Sequence, residues 1–144
     1  MKNYLLLLLS GILFFSATIK NDGGTIKQDG VYMGKIELKQ ERGSLVEYHY
    51  IVFKANGKAE TFVTSSNDFN AVKEKIKNNN YDYQGEYRIY ENSLTYRSIN
   101  KDAKAANGST LYIGNINNDG SITLETTFAN NSKVSSTFSY LSLK

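Results

Sequence analysis

Along most of the chain apolar and polar residues alternate one by one, the period of a strand with one buried face. In residues 31–39, Tyr32, Gly34, Ile36 and Leu38 share one face and Lys35, Glu37 and Lys39 the other. Residues 41–44 read as a turn, and 45–54, rich in Tyr, Val, Ile and Phe, as a second strand. Asn56-Gly57 tolerates the positive φ that a two-residue hairpin needs and leads into a third strand at 58–64. Further strands are expected at 83–90, 93–99, 110–116, 121–128 and 134–143. Between them lie Glu91-Asn92, a polar loop at 100–107, Asn118-Asp119-Gly120 and a turn at 130–133.

One segment breaks this period. Phe69, Val72 and Ile76 are spaced by three and four, Ser66 or Asn67 is available as N-cap, and Lys73, Lys75 and Lys77 lie toward the end where cations suit the helix dipole. This predicts an amphipathic helix at 67–77, its stripe laid over one open end of the sheet. Short connections make sequence neighbours antiparallel spatial neighbours, and closing eight such strands removes both exposed edges. The expected fold is therefore all-β: an eight-stranded antiparallel up-and-down barrel with one short amphipathic helix between strands 3 and 4. A two-sheet β-sandwich is the alternative. Val31-Tyr-Met-Gly-Lys-Ile36 echoes Leu111-Tyr-Ile-Gly-Asn-Ile116, and glycines within strands suit barrel curvature.

The chain opens differently. Met1 and Lys2 precede an apolar run from Tyr4 to Phe15, broken by Ser10 and Gly11 and followed by Ser16, Ala17 and Thr18. This is the layout of a secretory signal peptide. As a helix, residues 4–19 would reach only about 24 Å against a hydrocarbon core of roughly 30 Å. The expected organisation is a signal peptide at 1–17, cut between Ser16 and Asp22, a flexible lead at 18–29 and a single barrel domain at 30–144. The protein is then exported in a bacterium, to periplasm, outer envelope or medium, with no transmembrane anchor after leader cleavage.

A short polar lead followed by Gly30-Val31-Tyr32 at the head of eight strands resembles the lipocalin-like group of small exported barrels. In that group a Gly-x-Trp motif begins the first strand and its aromatic ring closes one end of the barrel. The resemblance covers residues 30–143 in strand pattern and three residues in motif. It implies that Gly30 and Tyr32 take those positions, and it bears on architecture rather than activity.

Composition narrows the chemistry. The 144 residues include no Cys and a single His, which excludes thiolate nucleophiles, disulfides and any metal site needing Cys or two His from one chain. The formal charge of +3 includes Lys2 of the leader and is too weak to point to nucleic acid or an anionic membrane. His49, between Tyr48 and Tyr50, reads as a solvated strand histidine, and Glu37, Glu47, Glu60, Glu86 and Glu125 fall on polar strand faces by alternation. Ser65-Ser66-Asn67-Asp68 ahead of the helix lacks the glycines and lysine of a phosphate loop. No catalytic residue, metal site or cofactor is expected.

Tyrosine is what stands out, with 11 residues. Tyr32, Ile36, Tyr50, Val52, Tyr87, Ile89 and Phe138 are expected to point inward, either filling the barrel or lining a cavity with rings that are apolar in body and polar at the tip. Gly34, Gly85 and Gly114 are expected to leave local space. The functional expectation is a non-enzymatic protein that binds a small amphipathic or apolar ligand in the barrel. The alternative is a protein-interaction role, as an inhibitor, immunity or envelope-assembly factor acting through the outer surface.

Overall fold

The structure is a computed structural model that describes residues 25–102 and 108–144. The expected leader at 1–17, residues 18–24 of the expected lead and residues 103–107 of the polar loop lie outside the described residues. The strands are β1 (Gly30–Gln40), β2 (Gly43–Phe53), β3 (Lys58–Thr64), β4 (Tyr83–Tyr90), β5 (Ser93–Asn100), β6 (Ser109–Ile116), β7 (Ile122–Thr127) and β8 (Lys133–Ser142), with α1 (Phe69–Lys77) between β3 and β4. Each strand pairs antiparallel with the next, and β8 returns to β1 through Gly30↔Ser142 to Gly34↔Phe138, closing an eight-stranded barrel. The sandwich alternative is thereby excluded.

Register fixes the inner face. Tyr32 pairs with Ile51 and Tyr140, Gly34 with His49 and Phe138, Tyr96 with Tyr87 and Tyr112, and Gly114 with Leu94 and Leu124, so these side chains share the interior. Their outward neighbours are mostly polar, as expected for a sheet wetted on one side. The second half of β2 differs. From Tyr50 to Phe53 every residue is buried, so both faces are covered there.

The outer cover is α1. Asp68 caps it, its Oδ1 accepting from Asn70 N at 3.0 Å and Ala71 N at 3.3 Å, so the helix begins at Phe69 and the cap falls at Asp68 rather than at Ser66 or Asn67. Val72 is fully buried among Val31, Tyr50, Val52 and Phe62, and Phe69 stacks on Tyr50 with ring centroids 6.3 Å apart. The helix thus packs on the outside wall of β1–β3 and not over an open end. The apolar outer face of β2 explains this: Tyr50 and Val52, with Phe62 opposite Tyr50 on β3, offer a dry seat that a barrel end does not.

The inward glycines are closed spaces. A Cβ on Gly34 would lie 2.7 Å from the Phe138 ring, and one on Gly85 or Gly114 would lie 1.8 Å from a carbonyl oxygen of the neighbouring strand. They permit a ring to cross or two strands to approach, rather than leaving room for a ligand.

Candidate functional site

The two ends of the barrel are built from different chemistry. One end gathers the start of β1, the end of β2, the end of β4 and the end of β8. There Phe53 meets Tyr32, Tyr87 and Tyr96 edge to face at centroid distances of 5.6, 4.9 and 6.2 Å, and Tyr140 lies 5.6 Å from Tyr32. Each phenol tip is held. Tyr32 Oη accepts from Lys27 N, Tyr87 Oη donates to the Lys54 carbonyl and Tyr140 Oη donates to Asp29. Ile26, expected in a flexible lead, is buried in the core cluster, so residues 25–29 belong to the closure of this end.

The opposite end is less filled by the described residues. A mouth of about 830 Å³ is lined by Leu38, Tyr83, Thr110, Phe128 and Val134, with Lys39 and Lys133 at its rim. Beneath it sits a polar layer that sequence reasoning placed elsewhere. His49 is only 3% exposed and faces inward. Its Nε2 lies 3.0 Å from Glu47 Oε2 and its Nδ1 2.9 Å from Tyr112 Oη. A carboxylate can only accept, so Nε2 donates to Glu47, while Nδ1 and the Tyr112 hydroxyl share the second hydrogen bond. The hydrogen bond from His49 holds the Glu47 carboxyl below its ordinary value. Burial pushes the Tyr112 phenol well above its ordinary value, so it stays neutral.

The His49 ring also meets Tyr112 and Phe128 edge on, at 6.2 and 6.1 Å. Those two residues flank Thr126, which pairs with Tyr112 on one side and Val134 on the other and lies two residues before Phe128. Thr126 is fully buried, and among the described residues its Oγ1 is the one buried side-chain oxygen or nitrogen without a hydrogen-bond partner. By contrast Thr61 Oγ1, equally buried, bonds to Tyr96 Oη at 3.0 Å.

The seven residues expected to face a ligand divide. Tyr32, Ile36, Tyr87 and Phe138 point inward but pack against other side chains, and Ile89 points inward at the rim of the closed end, 40% exposed. Tyr50 and Val52 lie on the outer face beneath α1. None of the seven lines the mouth. His49 and Glu47, expected to be solvated on the polar face, instead face the interior and, like those seven, do not line the mouth. One signal pointed to this: Glu47 and His49 share the period-two face of Ile51 and Phe53.

No group of three or more His, Asp or Glu among the described residues is placed to hold a metal ion. No helix among them is long and apolar enough to cross a membrane. In comparisons with protein-family models, curated proteins and solved structures, nothing matches this chain.

Proposed function

We propose that this chain is an exported, non-enzymatic binding protein that takes a small amphipathic molecule into the open mouth of its barrel. The observation that carries the reading is the asymmetry of filling. One end is packed with hydrogen-bonded aromatic rings, while the other leaves about 830 Å³ bounded by Leu38, Thr110, Phe128 and Val134. That volume lies within the range of small-molecule sites, as does an apolar wall with a few convergent polar groups. Binding rather than catalysis is supported by His49, whose two ring nitrogens are both engaged by protein groups and leave no free base. Export rests on the leader pattern of residues 1–18.

Native mass spectrometry of the protein purified from its own host tests both parts. The expected spectrum shows a chain beginning between Ser16 and Asp22, with an added mass of a few hundred daltons that is lost on denaturation. An intact Met1 would remove the export reading. A bare chain whose unfolding is unmoved by amphipathic compounds would remove the binding reading.

A second reading has its own observation. Ile99 and Ile113 are 55% and 45% exposed on the outer face of β5 and β6, beside Arg88 and Arg97. Scattered exposed apolar residues are ordinary, but two on neighbouring strands, with the Arg97–Leu111 pair between them, suit a protein contact. A copurifying protein lost on Ile113→Lys would favour this outer surface over the mouth.

A further inference from the structure

Strands β4, β5 and β6 turn Tyr87, Tyr96 and Tyr112 inward, so the residues between those positions point to the outside of the barrel. There Glu86, Arg97 and Leu111 lie in one row across the three strands, and Arg88, Thr95 and Ile113 in the next, about 7 Å further along. All six border one shallow groove of about 610 Å³. Among the described residues, Glu86, Arg88 and Arg97 form no ion pair. The helix α1 covers the apolar outer wall of β1–β3 and leaves this face bare.

The two rows complement each other. A two-fold axis laid across the strands between them sets each row of one copy against the other row of a second copy. Glu86 then meets Arg88 of the second copy and Arg88 meets its Glu86, Leu111 and Ile113 meet each other twice, and Arg97 meets the hydroxyl of Thr95. The same operation carries Ile99, 55% exposed, over Ser93 of the second copy and beside its Tyr90, which is 78% exposed and pairs with Ser93 in the register. No like charges are directly opposed. An unrelated acidic partner would be drawn by Arg88 and Arg97 and repelled by Glu86, whereas a second copy answers both signs of charge and the apolar positions together.

We propose that the outer face of β4–β6 is a two-fold contact between two copies of this chain. This rests on the reading of that surface as a protein contact and names the partner. A convex barrel wall touches along few strands, so the contact is small and the dimer weak, with a dissociation constant on the order of 10–100 μM. Exposed ion pairs contribute little affinity and mainly fix the register, so the apolar positions hold the copies together.

Sedimentation velocity of the protein expressed in its own host, from about 5 to 500 μM at pH 7, tests this. The expected result is a monomer–dimer equilibrium that weakens severalfold as salt is raised. Ile113→Lys, at a position exposed in the monomer, should leave the thermal midpoint unchanged and weaken the dimer about tenfold or more. Glu86→Arg alone and Arg88→Glu alone should each weaken self-association about tenfold, because each sets like charges together. An equimolar mixture of those two variants should associate within about threefold of the parent, since every Glu again meets an Arg across the axis. A monomer throughout the range overturns the second copy; a copurifying protein still lost on Ile113→Lys would then keep the surface for a different partner, and the absence of one would remove the surface reading as well. A dimer that Ile113→Lys leaves intact overturns this face. A mixture no tighter than either variant alone overturns the two-fold arrangement.

Discussion

The closed end and the open end of this barrel are assembled from the same eight strands, yet they solve the problem of polar atoms in opposite ways. At the closed end the phenols of Tyr32, Tyr87 and Tyr140 bury their rings and hand their hydroxyls to backbone or carboxylate groups at the surface. At the open end Glu47, His49, Tyr112 and Thr126 carry polar atoms into the interior, and one of them is left unpaired. The difference teaches where packing is complete and where polar atoms are carried into the interior. The aromatic end is close-packed and gains from every ring, whereas the polar end gives up some packing for a face that can be used.

That contrast is sharpest in core truncation. Phe53 is fully buried and touches Tyr32, Tyr87 and Tyr96, so Phe53→Ala should cost about 3–5 kcal/mol, read as a drop in the urea midpoint. Phe128→Ala, at the half-buried mouth, should cost only about 1 kcal/mol. Comparable losses at the two sites would break the division into a packed end and an open one. The outer wall supplies the next effect. Val72 is the buried anchor of α1 and Phe69 only half-buried, so Val72→Ala should cost about 2 kcal/mol and Phe69→Ala nearer 1 kcal/mol. The reverse order would mean that α1 is held by its stack on Tyr50 rather than by its buried stripe.

Much of this was legible beforehand, and the failures share a cause. Strand period and turn chemistry located all eight strands and the helix, because alternation survives wherever one face is wet. Alternation loses its meaning where both faces are dry. From Tyr50 to Phe53 each residue is buried, so nothing in that run says which residues face in, and Tyr50 and Val52 were assigned to the wrong side. The same ambiguity hid the seat of α1, since that seat is the outer face of this run. Glu47 and His49 were missed for another reason. A charged or titratable residue in a strand is taken as outward because burial of an unpaired charge is costly, and the sequence does not display the Tyr112 partner, 63 positions away from His49. Ile26 was missed because an isolated apolar residue in a polar stretch has no period at all.

Acid separates this polar layer from the rest of the molecule by a smaller amount. Glu47 is held below its ordinary value by its bond from His49. A carboxyl lowered on folding stabilises the protein above its unfolded value and loses that contribution as pH falls through the lowered one. The ordinary value of a glutamate carboxyl is 4.5. The stability gap between the parent and Glu47→Gln should therefore be about 1 kcal/mol at pH 7 and close as pH falls below this value. A gap independent of pH would show that the carboxylate charge contributes nothing to that layer.

The smallest effect is the most discriminating, because it turns on sign rather than size. Thr61 and Thr126 are both inward and both fully buried, and they differ in one respect: Thr61 Oγ1 has a partner in Tyr96 and, among the described residues, Thr126 Oγ1 has none. Threonine to valine keeps the β-branch, the strand preference and nearly the volume, so little changes except the hydroxyl. At Thr61 the change removes a hydrogen bond while Tyr96 Oη keeps its bond to the Ala59 carbonyl, which should cost about 1 kcal/mol. At Thr126 it removes a buried polar atom that no described residue satisfies, so stability should rise by roughly 0.5 kcal/mol. Chemical denaturation of the two variants beside the parent reads the difference directly. Opposite signs mark Thr126 as a group kept at the expense of folding. Equal losses at both positions would mean that Thr126 is as well satisfied as Thr61, and the open end would then be no less settled than the closed one.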